Sequence, residues 1–186
     1  MTKLNINYAK FLFRFWKKQL HFRMSVGFHG HIVGNSTFAN SDNPLGWYST
    51  LFQFCGNKTQ TAANLQGLSF DKVYTSPLTR CVRLATFCGY PDAERDDRLK
   101  ELNFGDWEMH RFDEIADANL ERWYADYLHV KATNGESFED QYRRVAGFLD
   151  ELRQKPYEQV AIFAHGGILL NAQIYAGIIK PEEAFS

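Results

Sequence analysis

The run Gln159-Val160-Ala161-Ile162-Phe163-Ala164 constrains the fold more than any other stretch of the chain. It carries no charge and five consecutive apolar side chains, so it does not alternate between core and water. A strand of that kind must be covered on both faces, in the middle of a sheet. His165 follows, then Gly166 and Gly167 allow a tight turn, and Ile168, Leu169, Leu170, Ile174 and Tyr175 supply the apolar positions of a helix. A strand, turn and helix in that order implies an α/β fold with helices packed on a parallel sheet.

The rest of the chain from about Ala62 onward fits the same plan, with Thr61 to Leu68 closing a first helix. Phe70 to Ser76 (FDKVYTS) reads as a short buried strand, and Ser76-Pro77 as a helix start, because serine caps and proline is preset for the first helical position. Leu78, Val82 and Ala85 give that helix an apolar face and put Arg80 in its first turn. Phe112, Ile115, Leu120, Trp123 and Tyr127 suggest one or two helices between Asp113 and His129. Ser137 opens a capping box, and Phe138, Tyr142, Val145, Leu149 and Leu152 line the helix after it up to the break at Pro156. The expected architecture is a three-layer α/β/α sandwich around a mostly parallel central sheet.

A length of 186 residues suits one domain that needs no disulfide or metal to hold its core. With 45% apolar and 23% charged residues and a net charge of −1, the chain is neither a disordered segment nor a polyanion binder, so no nucleic-acid partner is expected. Cys55, Cys81 and Cys88 form neither a CxxC pair nor a Cys/His cluster, which points to reduced thiols in the cytoplasm and to no metal. No apolar run is long enough to span a bilayer. Residues 1–41 hold Lys3, Lys10, Arg14, Lys17, Lys18 and Arg23 but no acid. Residues 1–23 are therefore expected as a basic extension without defined structure, in preference to a helix lying on a membrane.

In an open parallel sheet, ligands bind beyond the carboxyl ends of the strands. VYTSPLTR delivers Arg80 there, and AIFAHGG delivers His165 with Gly166 opening a helix. An arginine, a histidine and free helix N–H groups together make an anion site. Taken singly, each has an ordinary reading: a solvated arginine, a structural histidine, and, in RLKELNFGDWE, the loop acids Glu101 and Glu108.

Taken together, SPLTR (76–80), RLKELNFGDWE (98–108), TNGES (133–137) and FAHGG (163–167) occur in an order and spacing that resembles the histidine phosphatase superfamily, and within it the α-ribazole phosphatase branch. The likeness covers about Ala62 to Ser186. It implies a phosphoglycerate mutase-like fold and a small-molecule phosphate monoester as partner. It also implies hydrolysis through a phosphohistidine without cofactor or metal; in that branch the substrate is α-ribazole 5′-phosphate, used in assembly of the cobalamin nucleotide loop. By position Glu101 is the implied acid and base, while Arg80, His165 and Gly166 hold phosphoryl oxygens. The implied nucleophile belongs to an RHG motif; here FHGHIVGN matches at His29, Gly30 and Asn35, with Phe28 in place of the arginine.

Two readings stay open for that region. Either His29 is a nucleophile in a divergent loop, or residues 1–60 are foreign to the fold and only a phosphate-binding half-site remains. Met24 to Gly27 reads as a poor first strand, being interrupted by Ser25 and Gly27. The expected phosphatase-like unit is 24–186, with 24–60 divergent, 61–186 well matched and the carboxyl end truncated relative to the family. Weak activity is expected.

Overall fold

The computed structural model describes residues 9–16, 19–28, 52–55 and 58–184. Six strands make one sheet: β1 (Ala9–Trp16), β2 (Gln19–Phe28), β3 (Phe52–Cys55), β4 (Lys72–Thr75), β5 (Glu94–Arg95) and β6 (Gln159–Ala164), in the order β3-β2-β1-β6-β4-β5. The β2–β3, β4–β5 and β4–β6 pairs are parallel, and β1 is antiparallel to both β2 and β6. β1 alone runs against the others, so the sheet is mostly parallel.

The apolar run behaves as its composition requires: every residue from Val160 to Ala164 is at most 1% exposed. Its side chains alternate between two helical layers. Ala161 and Phe163 pack with Leu65 of α1 (Lys58–Leu65) and Cys81, Leu84 and Ala85 of α2 (Thr79–Phe87). Val160, Ile162 and Ala164 pack on the other face with Val145, Phe148 and Leu149, and with Ile168 and Leu169. A smaller cluster of Trp107, Leu120 and Ala132 lies under α3 (Asn119–Ala125). Val145, Phe148 and Leu149 come from α4 (Phe138–Leu152) and Ile168 and Leu169 from α5 (Gly166–Tyr175), which completes the three layers.

Several elements differ from expectation. Residues 9–16 and 19–28 are paired strands of the sheet, where the sequence suggests an unstructured basic extension and a poor strand at 24–27. The physical reason is a period of two: in Gln19–Phe28 the apolar Leu20, Phe22, Met24, Val26 and Phe28 alternate strictly with Gln19, His21, Arg23, Ser25 and Gly27. That alternation outweighs the net basic charge. α2 starts at Thr79, later than Ser76-Pro77 suggests, because the Ser76 hydroxyl accepts the Leu78 N–H at 3.3 Å in a turn outside the helix. The 113–129 pattern condenses into a short 3-10 turn (Phe112–Glu114) and α3, separated at Asp117, whose carboxylate takes the Asn119 N–H at 2.8 Å.

α4 begins as its sequence prescribes. The Ser137 hydroxyl accepts the Asp140 N–H at 3.2 Å while the Asp140 carboxylate accepts the Ser137 N–H at 3.0 Å. Ser137→Ala is expected to cost about 1 kcal/mol, read as a lower urea midpoint with an unchanged denaturant slope; an unchanged midpoint would show that the cap contributes nothing to the folded state.

Candidate active site

β4 and β6 deliver their carboxyl ends to one edge of the sheet. Thr75 pairs with Phe163, and the Ser76 N–H donates to the Phe163 carbonyl at 2.8 Å, so the two chains leave the sheet side by side. α5 starts directly after His165, and α2 starts four residues after Thr75. Half-buried Arg80, in the first turn of α2, thereby reaches His165, and its Nε donates to the ring Nδ1 at 3.1 Å.

That hydrogen bond sets the state of the histidine. A ring nitrogen that accepts has no proton, so His165 is neutral with its proton on Nε2, which donates to the Ser76 Oγ at 2.8 Å. Burial, and after it the charges of Arg80 and Arg144, push its pKa down to about 3. Cys81 lies 3.5 Å from Nε2, and burial pushes its thiol up to about 12, so it remains protonated. Both ring nitrogens of His165 are engaged in this arrangement, by Arg80 and by Ser76. The ring orients Arg80, whose Nη groups bond to no described residue. Gly166 follows at the first position of α5, where helix amides lack an intrahelical acceptor.

Glu101 approaches the same place from a loop. Its Oε1 accepts the Leu102 N–H at 3.1 Å and the Gln141 Nε2 at 3.2 Å, while its Oε2 is enclosed without a partner among the described residues. Burial raises the carboxyl above its ordinary range, opposed by the Leu102 amide, Gln141, Arg80 and the Gly167 amide. A Cβ on Gly167 would stand 2.6 Å from Glu101 Oε1 and 2.6 Å from Gln141 Oε1. Glycine at this position is what lets the carboxyl close on the start of α5.

Arg144 and the TNGES motif act on this loop from outside. Arg144 of α4 donates to the carbonyls of Arg98 (2.7 Å), Lys100 (2.7 Å) and Glu101 (3.1 Å) and grips Glu136 with Nε and Nη2, each at 3.0 Å. Glu136, from TNGES, is thus a brace for Arg144. The FGDW and TNG turns lie back to back, with the Asp106 N–H on the Thr133 carbonyl at 2.9 Å and the Glu136 N–H on the Asn103 carbonyl at 2.8 Å. The contact excludes a side chain at Gly105, where a Cβ would come within 2.1 Å of the Thr133 carbonyl oxygen. Exposed Glu108 takes the Phe104 N–H at 2.9 Å and serves the loop.

Arg80, Glu101, His165 and Gly166 are therefore brought together from separate motifs. His29 and Asn35 lie outside the described residues. β2 ends at Phe28 on the same edge, because Val26 and Ala164 both pair with Ala9. Sequence reasoning misses Ser76 as a partner of His165, and it misses Arg144, Gln141 and Asn171. Gln141 and Asn171 are both fully buried. Their signal is a polar residue at a core position: Gln141 sits three and four residues from Phe138 and Val145 on the apolar face of α4. Among the described residues no group of three or more His, Cys, Asp or Glu is placed to hold a metal ion, and no helix is long and apolar enough to cross a membrane.

Comparison with known proteins supplies the lineage. The adenosylcobalamin/alpha-ribazole phosphatase of Escherichia coli (strain K12) is 32% identical over 112 residues, 56% of this chain and 55% of that protein. Phosphoserine phosphatase 1 of Hydrogenobacter thermophilus is 27% identical over 146 residues, 72% of this chain and 69% of that protein. The crystal structure of the alpha-ribazole phosphatase from Shigella flexneri superimposes with a TM-score of 0.55 at 31% identity, covering 61% of this chain and 60% of that one. The chain thus spans about half the length of its alpha-ribazole phosphatase relative from Escherichia coli. The profile of the histidine phosphatase superfamily (branch 1) matches residues 57–184, which include Arg80, Glu101 and His165, and the chain belongs to that superfamily.

Proposed function

We propose that this chain is a phosphomonoesterase acting through a phosphohistidine, with α-ribazole 5′-phosphate as substrate and the cytoplasm as its place of action. The observation that carries the proposal is the convergence of Arg80, His165 and Glu101 at the carboxyl edge of the sheet, where the Arg80 Nη groups and one oxygen of the Glu101 carboxyl have no partner among the described residues. The substrate rests on likeness to the alpha-ribazole phosphatases.

In this reading the Arg80 Nη groups and the Gly166 amide bind the equatorial phosphoryl oxygens and offset the charge of the transition state. Asn35 would join them. Neutral His165 keeps Arg80 aimed; a protonated ring would set its Nδ1–H against the Arg80 N–H. Glu101 protonates the departing alkoxide as the phosphoryl group passes to His29, then takes a proton from the water that hydrolyses the phosphohistidine. A carboxyl raised by burial is suited to the first task. Because that task needs the protonated form, kcat/KM is expected to fall as pH rises through the Glu101 titration.

One observation favours a second reading, an anion-binding relic without turnover. β1 lies between β2 and β6, so the strand that ends at Phe28 is not the direct neighbour of the one that delivers His165. Trapping separates the two readings. Incubation with phosphate-labelled α-ribazole 5′-phosphate and an alkaline quench is expected to leave acid-labile label that maps to His29 and is lost in His29→Ala. A folded protein that binds inorganic phosphate but takes up no label would establish the relic. Phosphoserine serves as the comparison substrate and is expected to give the lower kcat/KM.

Two variants test the roles. Glu101→Gln should lower kcat by about 100- to 10,000-fold while phosphate still binds, and equal turnover would remove Glu101 from the chemistry. Arg80→Ala should lower kcat/KM by roughly 10- to 150-fold, corresponding to a charge-assisted contact of about 1.5–3 kcal/mol.

His165 also links the site to stability. Between its ordinary value of 6.5 and its folded value of about 3, the unfolded chain binds a proton at this residue that the folded chain refuses. Its contribution is present above that window and is lost as pH falls through it. The melting temperature of His165→Gln should therefore depend less steeply on pH between about 6.5 and 3 than that of the unaltered protein; parallel curves would show that His165 is not held neutral.

A further inference from the structure

Gln141 and Asn171 are both 0% exposed, on α4 and α5 respectively, and neither touches Arg80 or His165 in the hydrogen-bond network. The Asn171 Nδ2 donates to the Gly167 carbonyl at 3.0 Å and to Gln141 Oε1 at 3.0 Å, and Gln141 Nε2 donates to Glu101 Oε1 at 3.2 Å. A backbone carbonyl only accepts, so the Asn171 amide must turn its NH₂ toward Gly167. The second hydrogen of that NH₂ then requires an acceptor, which turns the Gln141 oxygen toward Asn171 and the Gln141 NH₂ toward Glu101. Each side-chain amide orientation is dictated by the one before it, starting from main chain.

The consequence falls on the carboxyl. Glu101 Oε1 is met by N–H groups of Leu102 and Gln141, so a proton on Oε1 would face donors, whereas Oε2 has no partner among the described residues. We propose that Gln141 and Asn171 are positioning residues, a buried amide relay anchored on the Gly167 carbonyl that confines the mobile proton of Glu101 to Oε2 and aims that oxygen at the substrate. The inference rests on Glu101 as acid and base of the proposed phosphatase. The relay adds no charge of its own. The charged and titratable groups around Glu101 are Arg80 and Cys81 on α2, Arg144 on α4, which holds its main-chain carbonyl, and His165 beyond Arg80. The absence of a Cβ at Gly167 is what admits the relay, since one there would lie 2.6 Å from Gln141 Oε1 and 3.0 Å from Gln141 Nε2.

The relay is tested on the unaltered chain by NMR with 13C-labelled glutamate and 15N-labelled side-chain amides. The amide protons of both Gln141 and Asn171 are expected to shift with the same pH midpoint as the Glu101 carboxyl carbon. Silence of the Asn171 amide through that titration would overturn the relay whatever the turnover of the protein. In Gln141→Met, which removes the donor without adding charge, the Glu101 midpoint should move to higher pH. Asn171→Leu should move it in the same direction without touching Glu101, and the double variant should move it no further than Gln141→Met alone. A Glu101 midpoint that stays put in folded Gln141→Met would equally end the proposal. In a catalysing protein Gln141→Met should lower kcat by about tenfold with KM little changed. If Glu101→Gln leaves turnover intact while the amides still titrate with Glu101, it is the phosphatase reading that fails and the relay stands as a structural device.

Discussion

Burial of β6 on both faces is the constraint from which the rest of the molecule follows. Five successive residues at most 1% exposed must find apolar partners above and below, and they do so in alternation: Ala161 and Phe163 against α1 and α2, Val160 and Ile162 against α4 and α5. Because the helical layers are fixed by that strand, the residue after it is fixed too. His165 emerges at the edge where α2 and α5 begin, with nowhere to go but against Arg80 and Ser76. A strand with five consecutive apolar residues thus sets the position of a buried polar cluster.

That point is expensive to keep. A neutral imidazole, a thiol, two amides and a carboxyl are enclosed together, and each unpaired polar atom costs about 1–3 kcal/mol of desolvation. The structure answers with nearly complete pairing and with bracing from further away. Arg144 uses Nε and both Nη atoms on Glu136 and on three loop carbonyls, so the approach of Glu101 is held by main chain as well as by its side chain. Among the described residues, the Oε2 of Glu101 and the Oδ1 of Asn171 find no partner. Among the described residues, Glu101 Oε2 is the one carboxyl oxygen of this network without a partner, in a network otherwise largely satisfied.

Much of this was legible in the sequence, and the reasons differ by element. β6 and α4 announce themselves because burial on two faces and a capping box are local properties. Arg80, Glu101 and His165 could be grouped because their motifs stand in a recognisable order, although no one of them is distinctive. β1 and β2 are hidden for a different reason. The alternation in β2 is clean, while β1 interrupts its own with Phe11-Leu12-Phe13 and Phe15-Trp16; the excess of lysine and arginine suggests a solvated extension, and pairing, not charge, decides what a strand does. β5 spans two residues, too short for any period to show. Gln141 and Asn171 were missed because each looks like a tolerated polar substitution on an apolar helix face; only the three-dimensional meeting of α4, α5 and the Glu101 loop gives them a purpose.

The sheet order also bears on where a nucleophile can stand. Neighbouring strands lie about 4.8 Å apart, so β2, two places from β6 and three from β4, is separated from them by roughly 10 Å and 14 Å. Arg80 and Glu101 are gathered around the ends of β4 and β6, and Phe28 closes β2 across the width of β1. A histidine placed next after Phe28 would attack a phosphoryl group only if that group were held over the end of β1, between the two halves of the edge. Such a position is within reach of the Arg80 Nη groups only if they extend away from β4 and across β6. The order of strands therefore turns the choice between enzyme and relic into a question of whether one phosphate can bridge β1.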